Sequence, residues 1–180
     1  GAHFGSFEVL RYMGTQKYPT YMLMYTDNAA QFNQVAAALN PDLLQHIISL
    51  NRIDSMMIAQ QRLAEGAVLG ALADRDFTPG QEQLLPFLGQ TAAFPKGAWR
   101  MAAMFRCPVF FLAGIYLGGN QYHIHIKQLA DFSQCPRSER SSAIATAQQA
   151  YVHELEQLCQ QYPTNWFNFY PFWHNQPSSQ

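Results

Sequence analysis

A histidine and a glutamate stand five positions apart at His3 and Glu8, separated by Phe4-Gly5-Ser6-Phe7. An imidazole held at one ring nitrogen by a carboxylate keeps its other nitrogen free to take a proton from a hydroxyl. A pair of this kind therefore suits transfer of an acyl group onto an alcohol. Whether the two can meet depends on where each sits. Residues five apart on one ideal helix are rotated by about 140° and do not touch easily. Phe7, Val9, Leu10 and Met13 read as the apolar face of a short helix, with Ser6 as its N-cap and Glu8 in its first turn, where an acid suits the helix dipole. His3 then falls in the preceding loop, and the backbone freedom of Gly5 can fold the imidazole back toward Glu8. A single histidine near a glutamate is also common where no chemistry occurs, so spacing alone carries little.

Further runs follow the pair in order: Ala73-Asp74-Arg75, then Leu85-Pro86-Phe87-Leu88-Gly89, then Phe94-Pro95-Lys96-Gly97, and a closing Asn165-Trp166-Phe167-Asn168-Phe169-Tyr170. With His-Phe-Gly-Ser-Phe-Glu at the start, they resemble the lysophospholipid acyltransferase superfamily, in the bacterial branch similar to the lipid A late (lauroyl/myristoyl) acyltransferases. The matches span Gly1 to Trp173. The resemblance implies that His3 is the general base and Glu8 its orienting partner, and that the acceptor hydroxyl attacks an acyl thioester. The expected donor is acyl carrier protein or coenzyme A as its thioester, a co-substrate, with no further cofactor and no metal expected. The resemblance further implies a lipid or glycolipid acceptor and action at the cytoplasmic face of the inner membrane, reached peripherally or through an anchoring segment expected to be absent from this chain.

The oxyanion formed in such a transfer needs positive charge or backbone N–H donors. Arg75 is the candidate for positioning the donor or acceptor phosphate, and its competing reading is an ion pair with Asp74 or Asp76. Asp74 is read as holding Arg75 in place. Lys96 and Gly97 open a helix whose N-terminus can bind an oxyanion or phosphate, against the reading of Lys96 as a solvated surface lysine. His123 and His125 alternate on one strand face and could ligate a metal. The spacing supplies no third ligand, so they read as the polar outer face of an edge strand. Two functions from other classes stand beside the acyltransferase. One is a non-catalytic lipid-binding or scaffold module, and the other a metal-dependent hydrolase built on His3, His123 and His125.

The elements that must position these residues alternate. Tyr21 to Thr26, Gln45 to Leu50 and Ala67 to Ala73 read as buried strands, with helices from Ala29 to Leu39 and from an Asp54 cap to Glu65-Gly66 between them. This order predicts an α/β fold: a mixed, mostly parallel sheet flanked by helices, with a C-terminal antiparallel hairpin and a long helix. Ligands in such sheets sit beyond the carboxyl ends of strands, where Asp74-Arg75 falls. Phe77 to Pro95 reads as a long functional loop. A helix from Lys96 to Arg106 leads to a strand from Val109 to Leu117. Gly118-Gly119-Asn120 then turns the chain into Gln121 to Leu129, whose Tyr122, Ile124 and Ile126 lie on one face and His123, His125 and Lys127 on the other. That hairpin is expected to close one side of the sheet. Ser138 or Ser141 can cap a helix to about Gln161, and the aromatic run Trp166 to Trp173 either packs on the sheet, lines an acyl tunnel or meets a membrane interface.

With 180 residues, the chain predicts a single acyltransferase domain over 1–173, lacking its N-terminal part, and a tail over 174–180. Apolar residues make up 48% and charged ones 13%, and the net charge of −1 gives no ground for bulk attraction to nucleic acid. Contact with a membrane surface would use local patches. The three cysteines are widely spaced and form no CxxC, which argues against a disulfide framework or a structural zinc site.

Overall fold

The computed structural model describes residues 1–5, 9, 18–25, 42–75, 81–169 and 172–173. The expected helix over Ala29 to Leu39, the Ser6 cap, Glu8, Asp76 and the 174–180 tail lie outside the described residues. The chain divides into two compact units, one of Leu10–Ala71 and one of Gly1–Val9 with Leu72–Gln180.

In the first unit, β1 (Thr20–Met24) is the middle strand of a parallel sheet. Its neighbours are β2 (Ile47–Ser49), which follows the short helix α1 (Asp42–Gln45), and β3 (Val68–Gly70). Parallel strands of one sheet need a crossover, and α2 (Ser55–Ala64) lies in the one that leads from β2, past β1, to β3. Met22, Leu23 and Ile48 are buried, as the unbroken apolar runs predict. Asp54 occupies the N-cap position of α2, but its carboxylate takes the Arg52 guanidinium at 2.7 and 2.9 Å and caps no helix N–H.

The second unit carries two antiparallel hairpins and two helices, α3 (Gly97–Phe105) and α4 (Arg140–Gln161). The expected loop over Phe77 to Pro95 is corrected in its described part, 81–95: β4 (Glu82–Phe87) and β5 (Gln90–Pro95) form a hairpin closed by Leu88 and Gly89. Both turn residues have positive φ, 51° and 80°, as a two-residue primed turn requires. Leu88 is held there by Glu156 of α4, whose Oε1 accepts its N–H at 2.6 Å. Pro86 is tolerated because it pairs with Thr91 one step from the Phe87–Gln90 closing pair, where a backbone N–H would point away from the partner strand. The buried side chains Leu85, Phe87, Ala92 and Phe94 give this hairpin its inward face.

The other hairpin pairs β6 (Pro108–Gly118) with β7 (Gln121–Asp131) as a two-stranded sheet of its own, a second correction. The outer edge of β6 is already occupied: Phe4 C=O accepts from Gly114 N–H at 2.8 Å, and Asn165 Oδ1 accepts from Tyr116 N–H at 2.6 Å. The faces of β7 are also the reverse of those expected. Tyr122, Ile124 and Ile126 are exposed, while His125 and Lys127 turn toward α4 and the buried Glu154. A carboxylate that is 4% exposed must be paired to be tolerated, and His125 Nε2 at 3.2 Å and the Lys127 ammonium supply the pairing. Helix α4 starts from Glu139 at its N-cap, not from Ser138 or Ser141, which fall in the preceding 3-10 turn and the first helical turn.

Burial pushes the Glu154 carboxyl up, but the hydrogen bond and charge of Lys127, joined by His125, outweigh it and hold the group below its ordinary value. Its contribution to stability is therefore full above the ordinary glutamate range near pH ~4.3 and is lost as pH falls through the depressed folded value. Thermal melts from pH 7 down to pH 3 should show a steep acid loss in wild type and a shallower one in Glu154→Gln, which starts lower. Parallel curves would show that the cluster adds nothing.

The core of this unit gathers Phe4, Phe87, Phe94, Trp99, Phe111, Phe132, Tyr151 and Leu155, all nearly inaccessible. Among the described residues no helix is long and apolar enough to cross a membrane.

Candidate active site

His3 lies in a turn whose backbone is pinned on three sides. Ala73 N–H donates to Gly1 C=O at 2.9 Å, Gly114 N–H to Phe4 C=O, and Phe167 N–H to His3 C=O at 2.8 Å. Tyr151 of α4 adds a hydroxyl bond to Gly1 C=O at 3.0 Å. Gly5 follows with φ of +66°, and its C=O accepts from Val9 N–H, the first bond of the helix the sequence predicts to begin here. The loop placement of His3 is thus as expected.

Among the described residues, the carboxylate that meets the imidazole is Asp74. His3 Nδ1 lies 2.8 Å from Asp74 Oδ1 and 3.0 Å from Oδ2, and His3 N–H donates to Oδ2 at 2.9 Å. Asp74 is wholly buried. Burial would raise its carboxyl, but the His3 hydrogen bond and charge outweigh it, with help from the His3 backbone N–H and the Trp166 indole, and hold Asp74 below its ordinary value. An ionised carboxylate only accepts, so Nδ1 carries a proton, and in the neutral form of the ring Nε2 presents a lone pair. Among the described residues Nε2 has no hydrogen-bond partner, and the His3 side chain is 27% exposed. A buried anion, an oriented imidazole and an accessible basic nitrogen together can deprotonate a hydroxyl.

Arg75 reaches the same site from the next residue, donating through Nη2 to Phe167 C=O. Trp166 donates from Nε1 to Asp74 Oδ2 at 3.3 Å. Lys96 and Gly97 are placed elsewhere: Lys96 is the N-cap of α3, and its N–H bonds Gln81 C=O. They sit at the open end of the β4–β5 hairpin, about 17 Å along the strand from the Leu88–Gly89 turn, whose neighbour Phe87 packs on Trp166. Among the described residues neither shares a hydrogen bond or ion pair with His3 or Asp74. Glu8 lies outside the described residues. Cys159 lies close enough to feel the Asp74 charge. Burial, Asp74 and Glu156 push its thiol up to about 12, which leaves it inert as a nucleophile. Among the described residues no group of three His, Cys, Asp or Glu side chains could hold a metal ion, and His125 is engaged by Glu154.

Two of these contacts escape a reading of local spacing. Asp74 is 71 residues from His3, and Trp166 is 92 from Asp74. The family model for bacterial lipid A biosynthesis acyltransferases matches residues 1–175. The chain belongs to that family. It is accordingly an acyl-transferring enzyme of the lipid A type, and the matched span contains His3, Asp74, Arg75 and Trp166. A search of curated proteins returns no match. Membership in the lipid A acyltransferase family agrees with the resemblance carried by the ordered motifs, from His3 through Asp74-Arg75 to the tryptophan-phenylalanine ending.

Proposed function

We propose that this lipid A-type acyltransferase moves a fatty acyl chain from an acyl thioester to a hydroxyl of a lipid or glycolipid, with His3 as general base. The observation that carries the reading is the 2.8 Å contact of His3 Nδ1 with the buried Asp74. The acceptor hydroxyl gives its proton to His3 Nε2 as its oxygen bonds to the thioester carbonyl carbon. The tetrahedral oxyanion then collapses, the C–S bond breaks, and the leaving thiolate takes the proton back from the imidazolium. Asp74 holds the tautomer through this cycle and stabilises the imidazolium. Glu8, the orienting acid by resemblance, is a second carboxylate proposed for the same task. The guanidinium of Arg75 is the proposed anchor for a donor or acceptor phosphate, with Lys96 and the Gly97 N–H as a more distant phosphate contact.

The reaction as written needs no cofactor beyond its co-substrate, acyl carrier protein or coenzyme A carrying the chain. Its place is the cytoplasmic face of the inner membrane, where acceptor and donor meet. Full-length protein given labelled acyl carrier protein or labelled acyl-coenzyme A, with a total membrane lipid extract, should move label into a lipid that releases it on mild alkaline hydrolysis. Label reaching no lipid from either donor would sink the proposal.

A further inference from the structure

The closing aromatic segment does more than fill the core. Asn165 docks on the outer edge of β6 through both ends of its amide: Oδ1 accepts from Tyr116 N–H at 2.6 Å, and Nδ2 donates to Tyr116 C=O at 3.4 Å. Two residues later, Phe167 N–H takes the carbonyl of His3 at 2.8 Å. Trp166 is therefore fixed from both sides. Its ring is further wedged edge-on against Phe87 and Phe172, with centroids at 5.4 and 5.0 Å. So held, the indole N–H ends 3.3 Å from Asp74 Oδ2.

That bond closes the coordination of the buried carboxylate. The His3 ring nitrogen Nδ1 lies 2.8 Å from Oδ1 and 3.0 Å from Oδ2, and Oδ2 also takes the His3 backbone N–H and the indole N–H. A carboxylate bonded only to His3 could turn about its Cβ–Cγ axis and carry the ring with it. A third donor on a rigid, separately anchored side chain removes that freedom.

We propose that Trp166 is a positioning residue of the His3–Asp74 pair, acting through the indole N–H and not through its aromatic bulk. The inference rests on the acyl-transfer reading for its kinetic consequence. Trp166→Phe keeps a ring in the Phe87 and Phe172 cluster and removes the N–H. Trp173→Phe is the matched control, since Trp173 packs in the same cluster and donates to Phe87 C=O at 3.3 Å but among the described residues shares no hydrogen bond with either member of the pair.

In full-length protein, Trp166→Phe should lower kcat about tenfold with KM within about twofold, the size expected for one hydrogen bond to a charged group. Trp173→Phe should stay within about twofold in both constants. A second readout needs no turnover: the His3 Nδ1 proton, a downfield proton resonance absent from His3→Ala, should exchange with solvent at least about fivefold faster in Trp166→Phe and at the wild-type rate in Trp173→Phe. Equal kcat and equal exchange in the two variants would overturn the proposal, as would a fall confined to KM. A wild type that transfers no acyl group would defeat the acyl-transfer reading alone, and the exchange comparison would still decide the role of Trp166.

Discussion

Asp74→Asn slows acyl transfer by about a thousandfold, approaching the loss from His3→Ala, which removes the base altogether. The asparagine amide fills the same buried space but offers the ring one acceptor and one donor group in place of a charge. Nδ1 can then be met by an N–H, the proton moves to Nε2, and the base is lost with little change in fold. Effects of this size follow when residues act as one unit, so the double variant should be no slower than His3→Ala alone. Transfer rates for the four proteins, measured with saturating donor, check this. Glu8→Gln belongs in the same series. If it takes the thousandfold loss and Asp74→Asn is mild, the orienting role belongs to the glutamate, and the Asp74 contact is structural.

Gly5→Ala should cost about 3 kcal/mol of stability or more, the largest loss expected from adding a single methyl group. Two causes add. The residue sits at φ +66°, where a Cβ is strained by about 1–2 kcal/mol. That Cβ would also lie 2.4 Å from the carbonyl oxygen of Gly114, a backbone atom of β6. Gly114 cannot yield easily, because its N–H is bonded to Phe4 C=O and its own open side meets Val9 Cγ2 and Gly5 C=O. Gly119→Ala separates the causes: φ is +56° there, but no atom lies within 4 Å of the added carbon, so only the backbone strain of about 1–2 kcal/mol remains. Denaturant unfolding of both variants measures the difference. Equal losses would show that β6 moves aside at no cost. Activity should fall with Gly5→Ala as well, since the turn it distorts carries His3.

Periodicity was a good guide wherever one short segment decides its own state. The apolar runs of β1 to β3, the alternation in β7 and the long apolar stripe of α4 all became elements within a few residues of their expected ends. The failures share a cause. Pro86 and Gly89 are loop signals taken singly, yet Leu85, Phe87, Ala92 and Phe94 alternate across them, and the hairpin forms because that face meets the core. In β7, alternation separates the two faces but cannot say which turns inward. Glu154, on a different element, pairs with His125 and Lys127 on one face, while Ile124 and Ile126 on the other stand exposed.

The site divides in the same way. The turn placement of His3 was legible because its glycine and the expected helix start lie within nine residues. The Asp74 contact was not legible, because Asp74 reaches the ring across 71 residues, and local spacing offers only Glu8, which lies outside the described residues. Trp166 was visible as part of a motif, but nothing in the motif says that its N–H would point at a carboxylate.

The unit that holds the site is built from the first nine residues and from everything after residue 71, with a separate unit between them in sequence. This arrangement sets an order of assembly on the ribosome. The residues of the intervening unit are contiguous, so it can begin folding as soon as they emerge, with short loops to close. The first residues must wait for Asp74, then for β6, then for Tyr151 and Phe167, which bond the stretch around His3. At about 5–20 residues per second that delay is on the order of ten seconds, during which the N-terminal stretch lacks its partners. A nascent chain arrested before Phe167 holds His3 and Asp74 but lacks the N–H that bonds the His3 carbonyl, so the turn around His3 is completed only once this segment has emerged.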